Sequence, residues 1–102
     1  GYEEKPGWEA ESFAVAAANP LATDAGYQVL KAGGNAIDAA IAVQMVLNLV
    51  EPQSSGIGGG AFLMHYDGSE VRAYDGRETA PQGVNGELFL EDGEPLAFNA
   101  YA

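Results

Sequence analysis

The stretch Gly33-Gly34-Asn35-Ala36-Ile37-Asp38-Ala39-Ala40 lies between two apolar segments and decides the fold of this 102-residue chain. Its paired glycines allow the left-handed conformation that commonly ends a helix, so a first helix is predicted to stop here. Asn35 is a preferred N-cap residue, so a second helix is predicted to begin at Ala36. The stretch therefore predicts two consecutive helices joined by a short turn.

Each predicted helix has its own start and its own apolar pattern. The first follows Asn19-Pro20, a capping residue and a first-turn proline, and is predicted from Leu21 to about Lys31. The second is predicted from Ala36 to about Leu49, and Pro52 closes it. Since the second helix is apolar on nearly every side, we expect it to be buried on more than one face.

Strands are predicted both before and after the two helices in the sequence. Ser12 to Ala18 is a short apolar run and is predicted to form a buried strand. Ala61 to Tyr66 and Glu70 to Tyr74 flank Asp67-Gly68, which predicts a β-hairpin. The glycine-rich loop Gln53 to Gly60 precedes the hairpin, and it lacks the Lys-Ser/Thr ending of a phosphate-binding loop. Two interpretations of this loop stay open, a tight connection and a segment that lines a site.

Composition excludes several classes of partner and site. Fifteen acidic and four basic residues give a formal charge of −11, which argues against nucleic acid or an anionic membrane as partner. The chain has no cysteine and one histidine, so we expect no common zinc site. The charge-free run Ala39 to Val50 is too short to span a membrane. No metal or cofactor is predicted.

An arginine follows the predicted hairpin, within Asp75-Gly76-Arg77-Glu78-Thr79-Ala80-Pro81. A guanidinium donates two parallel hydrogen bonds to a carboxylate, so Arg77 could hold a carboxylate substrate. It could instead pair with Asp75 or Glu78 and stabilise a turn. The local pattern alone favours the structural role.

Four segments together resemble the amino-terminal part of the large subunit of γ-glutamyltranspeptidases. They are Asn19-Pro20-Leu21-Ala22-Thr23, Gly33 to Ala40, Glu51 to Gly60, and Asp75 to Pro81, in the order and near the spacing of that family. The resemblance runs from about residue 14 to residue 81, and neither the acidic first dozen residues nor the tail after Gly83 carries a recognisable motif. It implies an α+β fold, a fragment of the αββα sandwich of N-terminal-nucleophile hydrolases, with two helices packed on antiparallel strands. We therefore expect residues 12–102 to be an incomplete domain of that type. Residues 1–11 are acidic and show no period, so they are predicted to form an extended arm with Trp8 as an anchor.

The resemblance also implies a reaction. These enzymes transfer or hydrolyse the γ-glutamyl group of glutathione and related amides, are typically periplasmic or secreted, and need no cofactor. Their precursor cleaves itself, and the new N-terminal threonine of the small subunit is the nucleophile. No catalytic residue is therefore expected in this chain. Arg77 matches the arginine that pairs with the substrate α-carboxylate, and Asp75 and Glu78 are expected to orient it.

Two alternatives remain at this level. One is a related acylase or a capsule-processing transpeptidase of the same superfamily, which would take another acyl substrate. The other is a truncated fragment without catalytic function that binds a partner. Under the main hypothesis the chain alone is expected to be inactive, because the small subunit with its threonine nucleophile is a separate partner.

Overall fold

The computed structural model of the chain describes residues 3–7 and 9–97. These residues form helices α1 (Pro20–Lys31) and α2 (Ala36–Val50) and strands β1 (Ala61–Tyr66), β2 (Val71–Gly76), β3 (Leu90–Glu91) and β4 (Glu94–Pro95). The chain divides into two compact units, Gly1–Gly59 and Gly60–Ala102. Among the described residues, no helix is long and apolar enough to cross a membrane. Trp8, the predicted anchor, lies outside the described residues.

Helix α1 begins at Pro20, one residue before the predicted start at Leu21, and ends at Lys31 as predicted. The Asn19 side chain accepts a hydrogen bond from the Leu21 backbone N–H at 2.9 Å. Lys31 occupies the last turn, where its charge is favourable for the helix dipole. Gly33 then adopts a φ of 96°, the left-handed conformation that a residue with a side chain rarely takes. The prediction of this helix is confirmed.

Helix α2 begins with a reciprocal capping box. The Asp38 N–H donates to Asn35 Oδ1 at 2.9 Å, and the Asn35 N–H donates to Asp38 Oδ2 at 3.1 Å. Capping of this kind stabilises a helix by about 1 kcal/mol. It therefore confirms the second predicted helix and its first residue.

The two helices pack against each other through small residues. Ala22 of α1 is 0% exposed and Ala39 of α2 is 5% exposed. A Cβ atom on Gly26 would lie 2.7 Å from Val43 Cγ2, so the glycine is what allows this close approach. On the side of α2 away from α1, Ile41 is 55% exposed. The prediction that α2 is buried on more than one face is therefore wrong for this structure, because the described part of the chain leaves apolar side chains exposed on the side of α2 away from α1.

Residues 12–18 do not form a strand, so that prediction is wrong. A strand is stabilised by hydrogen bonds to a neighbouring strand, and no strand among the described residues pairs with this segment. Its apolar side chains contact the helices instead. Val15 Cγ1 lies 3.0 Å from the position of a Cβ on Gly26, and the ring centroids of Phe13 and Tyr27 are 5.4 Å apart.

Strands β1 and β2 form the predicted antiparallel hairpin, with Leu63 opposite Tyr74 and Ala61 opposite Gly76. A second, shorter hairpin joins β3 to β4 through Asp92 and Gly93, whose φ angles are 52° and 79°. The sequence indicates a turn at that point, but strands of two residues are too short for an alternating pattern to reveal. Two helices and antiparallel strands together confirm the α+β class.

The turn between β1 and β2 is held by Asp67. Its Oδ1 accepts hydrogen bonds from the Ser69 N–H at 2.8 Å, the Glu70 N–H at 3.0 Å and the Ser69 hydroxyl at 2.9 Å. The backbone N–H groups of Glu70 and then Ser69 favour the carboxylate form and lower the pKa of Asp67 from 3.8 to about 2.

This shift predicts how the hairpin turn responds to acid. Because the folded pKa lies below the unfolded one, the contribution of Asp67 is fully present above about pH 4 and is lost as the pH falls through about 2. An NMR titration of the Asp67 carboxyl carbon should therefore have its midpoint near 2, and Asp67→Asn should remove that titration. A midpoint near 3.8 would mean that the turn does not hold the carboxylate.

Candidate functional site

Arg77 directly follows β2, and the backbone at this point is fixed from two directions. Gly76, the last residue of β2, is paired with Ala61 of β1. The Arg77 N–H donates to Asp75 Oδ1 at 3.0 Å. Asp75 thus holds the backbone of Arg77 and not its guanidinium, so the arginine side chain leaves the hairpin from a defined position.

The Arg77 guanidinium pairs with Glu78. One guanidinium nitrogen, Nη2, lies 3.2 Å from Glu78 Oε2, and the two side chains are 62% and 49% exposed. Among residues 3–7 and 9–97, no other carboxylate forms an ion pair with Arg77. A guanidinium carries five N–H donors, so a single contact leaves donors for a second carboxylate. The arrangement is compatible with both roles that the sequence left open, turn stabilisation and substrate binding.

The contact between Glu78 and Gly60 is a feature that the sequence did not indicate. A Cβ atom on Gly60 would lie 2.5 Å from Glu78 Oε2, so the carboxylate occupies the space of the missing side chain. Gly60 directly precedes β1 and Glu78 follows β2 by two residues, so the hairpin brings them together. The last glycine before a strand was the available sequence clue, because glycine there allows a close approach.

The start of the glycine-rich loop is tied to helix α2. The Gln44 side-chain NH₂ donates to Asn48 Oδ1 at 2.9 Å and to Ser55 Oγ at 2.8 Å. Further along, a Cβ atom on Gly56, Gly58 or Gly59 would meet no described atom within 4 Å. Close packing therefore does not explain these three glycines, and the choice between a connection and a site-lining loop stays open.

The Thr23 hydroxyl does not have a base as its hydrogen-bond partner. The Thr23 hydroxyl donates to the backbone carbonyl of Asn19 at 3.2 Å, an ordinary contact within a helix. His65 lies on β1 opposite Arg72, half-buried. In the same part of the chain, no group of three or more histidine, aspartate or glutamate residues could hold a metal ion.

Comparison with known proteins identifies the family. The family model described as gamma-glutamyltranspeptidase matches residues 22–101. The chain belongs to the γ-glutamyltranspeptidase family. This confirms the resemblance and extends it, because the match includes the tail after Gly83, which carries no recognisable motif of its own.

The curated relatives include glutathione hydrolases and a capsule biosynthesis protein. The chain is 52% identical over 88 residues to the glutathione hydrolase proenzyme of Bacillus subtilis (strain 168), and the aligned residues cover 83% of this chain and 15% of the relative. It is 46% identical over 70 residues to the capsule biosynthesis protein CapD proenzyme of Bacillus anthracis, covering 69% of the chain and 13% of the relative. The chain thus spans about 15% of the length of these glutathione hydrolase relatives.

Solved structures of a γ-glutamyltranspeptidase and of CapD contain the same fold as this chain. The γ-glutamyltranspeptidase of Pseudomonas nitroreducens complexed with L-DON superposes with a TM-score of 0.78 at 32% identity, covering 89% of this chain and 27% of that one. The transpeptidase CapD of Bacillus anthracis gives a TM-score of 0.67 at 43% identity, covering 72% and 26%. The two helices and antiparallel strands are therefore a fragment of the γ-glutamyltranspeptidase fold, as predicted.

Proposed function

We propose that this chain supplies the carboxylate-binding arginine of an enzyme that transfers or hydrolyses the γ-glutamyl group of glutathione and related amides. The observation that carries the proposal is the position of Arg77. Its backbone is fixed by β2 and Asp75, while its guanidinium is 62% exposed and pairs with Glu78 through one nitrogen. A guanidinium held in this way presents its remaining donors to a second carboxylate.

A free α-carboxylate is what distinguishes a γ-glutamyl amide from an ordinary peptide amide. A hydrogen bond to a charged group contributes about 1.5–3 kcal/mol, enough to select the substrate that carries the carboxylate. Glu78 orients the guanidinium, and Asp75 fixes the backbone from which it extends. Arg77 positions the substrate and takes no part in bond making.

The nucleophile is proposed to lie on another polypeptide, the small subunit, which begins with a threonine after cleavage of the precursor. The free amine of such a threonine acts as its base. Two observations support this division. The Thr23 hydroxyl is bonded to a backbone carbonyl and not to a base, and curated relatives from Bacillus subtilis and Escherichia coli are named proenzymes. By the same resemblance, we propose a periplasmic or secreted location.

Similarity to CapD favours a second candidate, a transpeptidase that processes a capsule. Arg77 would serve that candidate in the same way if its acyl group also carried a free carboxylate. The preference for a glutathione-type substrate rests on the higher identity to the glutathione hydrolase of Bacillus subtilis, 52% against 46%.

The test of the proposed function is an assay of the full-length protein that contains this chain. It should release the chromophore from a γ-glutamyl anilide and not from the α-glutamyl isomer, which has the same composition but a displaced carboxylate. Release should increase when a dipeptide acceptor is added. Failure to turn over the γ isomer after complete precursor cleavage would contradict the proposal, and turnover of a capsule polymer alone would favour the CapD-like candidate.

A further inference from the structure

The Glu78 carboxylate lies directly over the Cα of Gly60. A Cβ atom built on Gly60 would be 2.5 Å from Oε2, 2.7 Å from Cδ and 3.1 Å from Oε1 of Glu78. All three separations are shorter than the optimal distance between two non-bonded carbon atoms, about 3.5–4.0 Å, so a Cβ atom would clash with the carboxylate. Glu78 can therefore keep this position only while residue 60 has no side chain.

Space, and not backbone conformation, is what requires glycine at this position. The glycines with positive φ among the described residues are Gly33, Gly68 and Gly93, and Gly60 is not one of them. By contrast, a Cβ atom on Gly83, in the same compact unit, would meet no described atom within 4 Å. The close contact thus sets Gly60 apart from another glycine of the same unit.

We infer that Gly60 is a positioning residue for Arg77, acting through Glu78. The empty space at Gly60 lets the Glu78 carboxylate rest where its Oε2 lies 3.2 Å from Arg77 Nη2. That ion pair restricts the rotamers of the guanidinium and directs its remaining donors toward the substrate carboxylate. This inference rests on the proposed function of Arg77 and adds a residue to it.

Adding a methyl group at position 60 distinguishes a role of Gly60 in positioning Arg77 from a role in folding. In Gly60→Ala the methyl would push away the end of a flexible side chain, so the fold should tolerate the change while the ion pair is lost. The freed guanidinium would then lose rotamer entropy each time it binds substrate. We expect KM for a γ-glutamyl amide to rise about three- to fivefold, because the contact between Arg77 and the substrate carboxylate is weakened. We expect kcat to be nearly unchanged, because this contact holds the substrate and takes no part in bond making.

The experiment is a double-mutant cycle in the full-length protein, with Gly60→Ala, Glu78→Ala and both together. If Gly60 acts through Glu78, then Gly60→Ala should raise KM in the original protein and have little further effect once Glu78 is alanine. Gly83→Ala is the matched control and should leave KM unchanged. Thermal unfolding of each variant measures any cost to the fold.

The possible results separate this inference from the proposed function. An equal rise in KM from Gly60→Ala with and without Glu78 would overturn the inference, as would an equal effect of Gly83→Ala. If Arg77→Lys raises KM and Gly60→Ala does not, the inference fails while the proposed function stands. If Arg77→Lys leaves KM unchanged, the proposed function fails, and the inference fails with it.

Discussion

Arg77→Lys in the full-length protein is expected to raise KM for a γ-glutamyl amide by about tenfold or more, with a much smaller effect on kcat. Lysine keeps the positive charge but cannot donate two parallel hydrogen bonds from a planar group. The loss of one charged hydrogen bond, about 1.5 kcal/mol, corresponds to that factor. Steady-state kinetics on one substrate measures the effect, since a contact that only holds the substrate changes KM and not kcat.

The hairpin provides a matched control for this substitution. Arg72 lies on β2, has a side chain 59% exposed and pairs with Glu70 at 2.5 Å, so it resembles Arg77 in exposure and in having one acidic partner. Arg72→Lys should leave KM unchanged, because Arg72 is not proposed to contact substrate. Equal KM values for the Arg77→Lys variant and the original protein would mean that Arg77 does not hold the substrate carboxylate.

The second large effect is expected from the chain itself. The purified 102-residue species should release no product from a γ-glutamyl chromogenic amide, because the proposed nucleophile and its base lie on the small subunit. In the described residues, Thr23 donates to the Asn19 carbonyl at 3.2 Å, which leaves its hydroxyl without a base. The measurement is chromophore release at high chain concentration over long incubation.

The full-length protein, prepared and assayed in parallel, is the control for this result. It should be active under the same conditions, which shows that the assay detects the reaction. Turnover by the purified chain, proportional to its concentration and absent from a mock preparation, would contradict the division of the site between two subunits.

Local features of the fold could be predicted because each depends on neighbouring residues. Asn19 and Asn35 cap their helices through contacts within the next few residues, and Asp67-Gly68 forms its turn in the same way. The strand predicted over residues 12–18 failed because a strand needs a partner, and an apolar run does not say whether one exists. The prediction that α2 is buried on more than one face failed for a related reason. The apolar pattern of a helix shows which of its faces are apolar, and it does not show which segments cover those faces.

The candidate site was predictable in part. The motif around Arg77 led to the arginine, and its proposed role in substrate binding stays a prediction. The sequence could not show which acidic neighbour contacts which part of Arg77, because Asp75 and Glu78 both lie within two residues of it. Asp75 accepts from the backbone N–H while Glu78 pairs with the guanidinium, and side-chain rotamers decide that difference. The Gly60 contact depends on the hairpin register, which places Ala61 opposite Gly76.

The central claim, that Arg77 binds the substrate α-carboxylate, is tested most directly by removing that carboxylate from the substrate. We would measure kcat/KM for a γ-glutamyl anilide and for the 4-aminobutanoyl anilide, which lacks only the carboxylate, in the full-length protein and its Arg77→Ala variant. The original protein should prefer the γ-glutamyl substrate by about tenfold or more, and the variant should lose most of that preference. An undiminished preference in the variant would contradict the claim, because the carboxylate would then be recognised elsewhere.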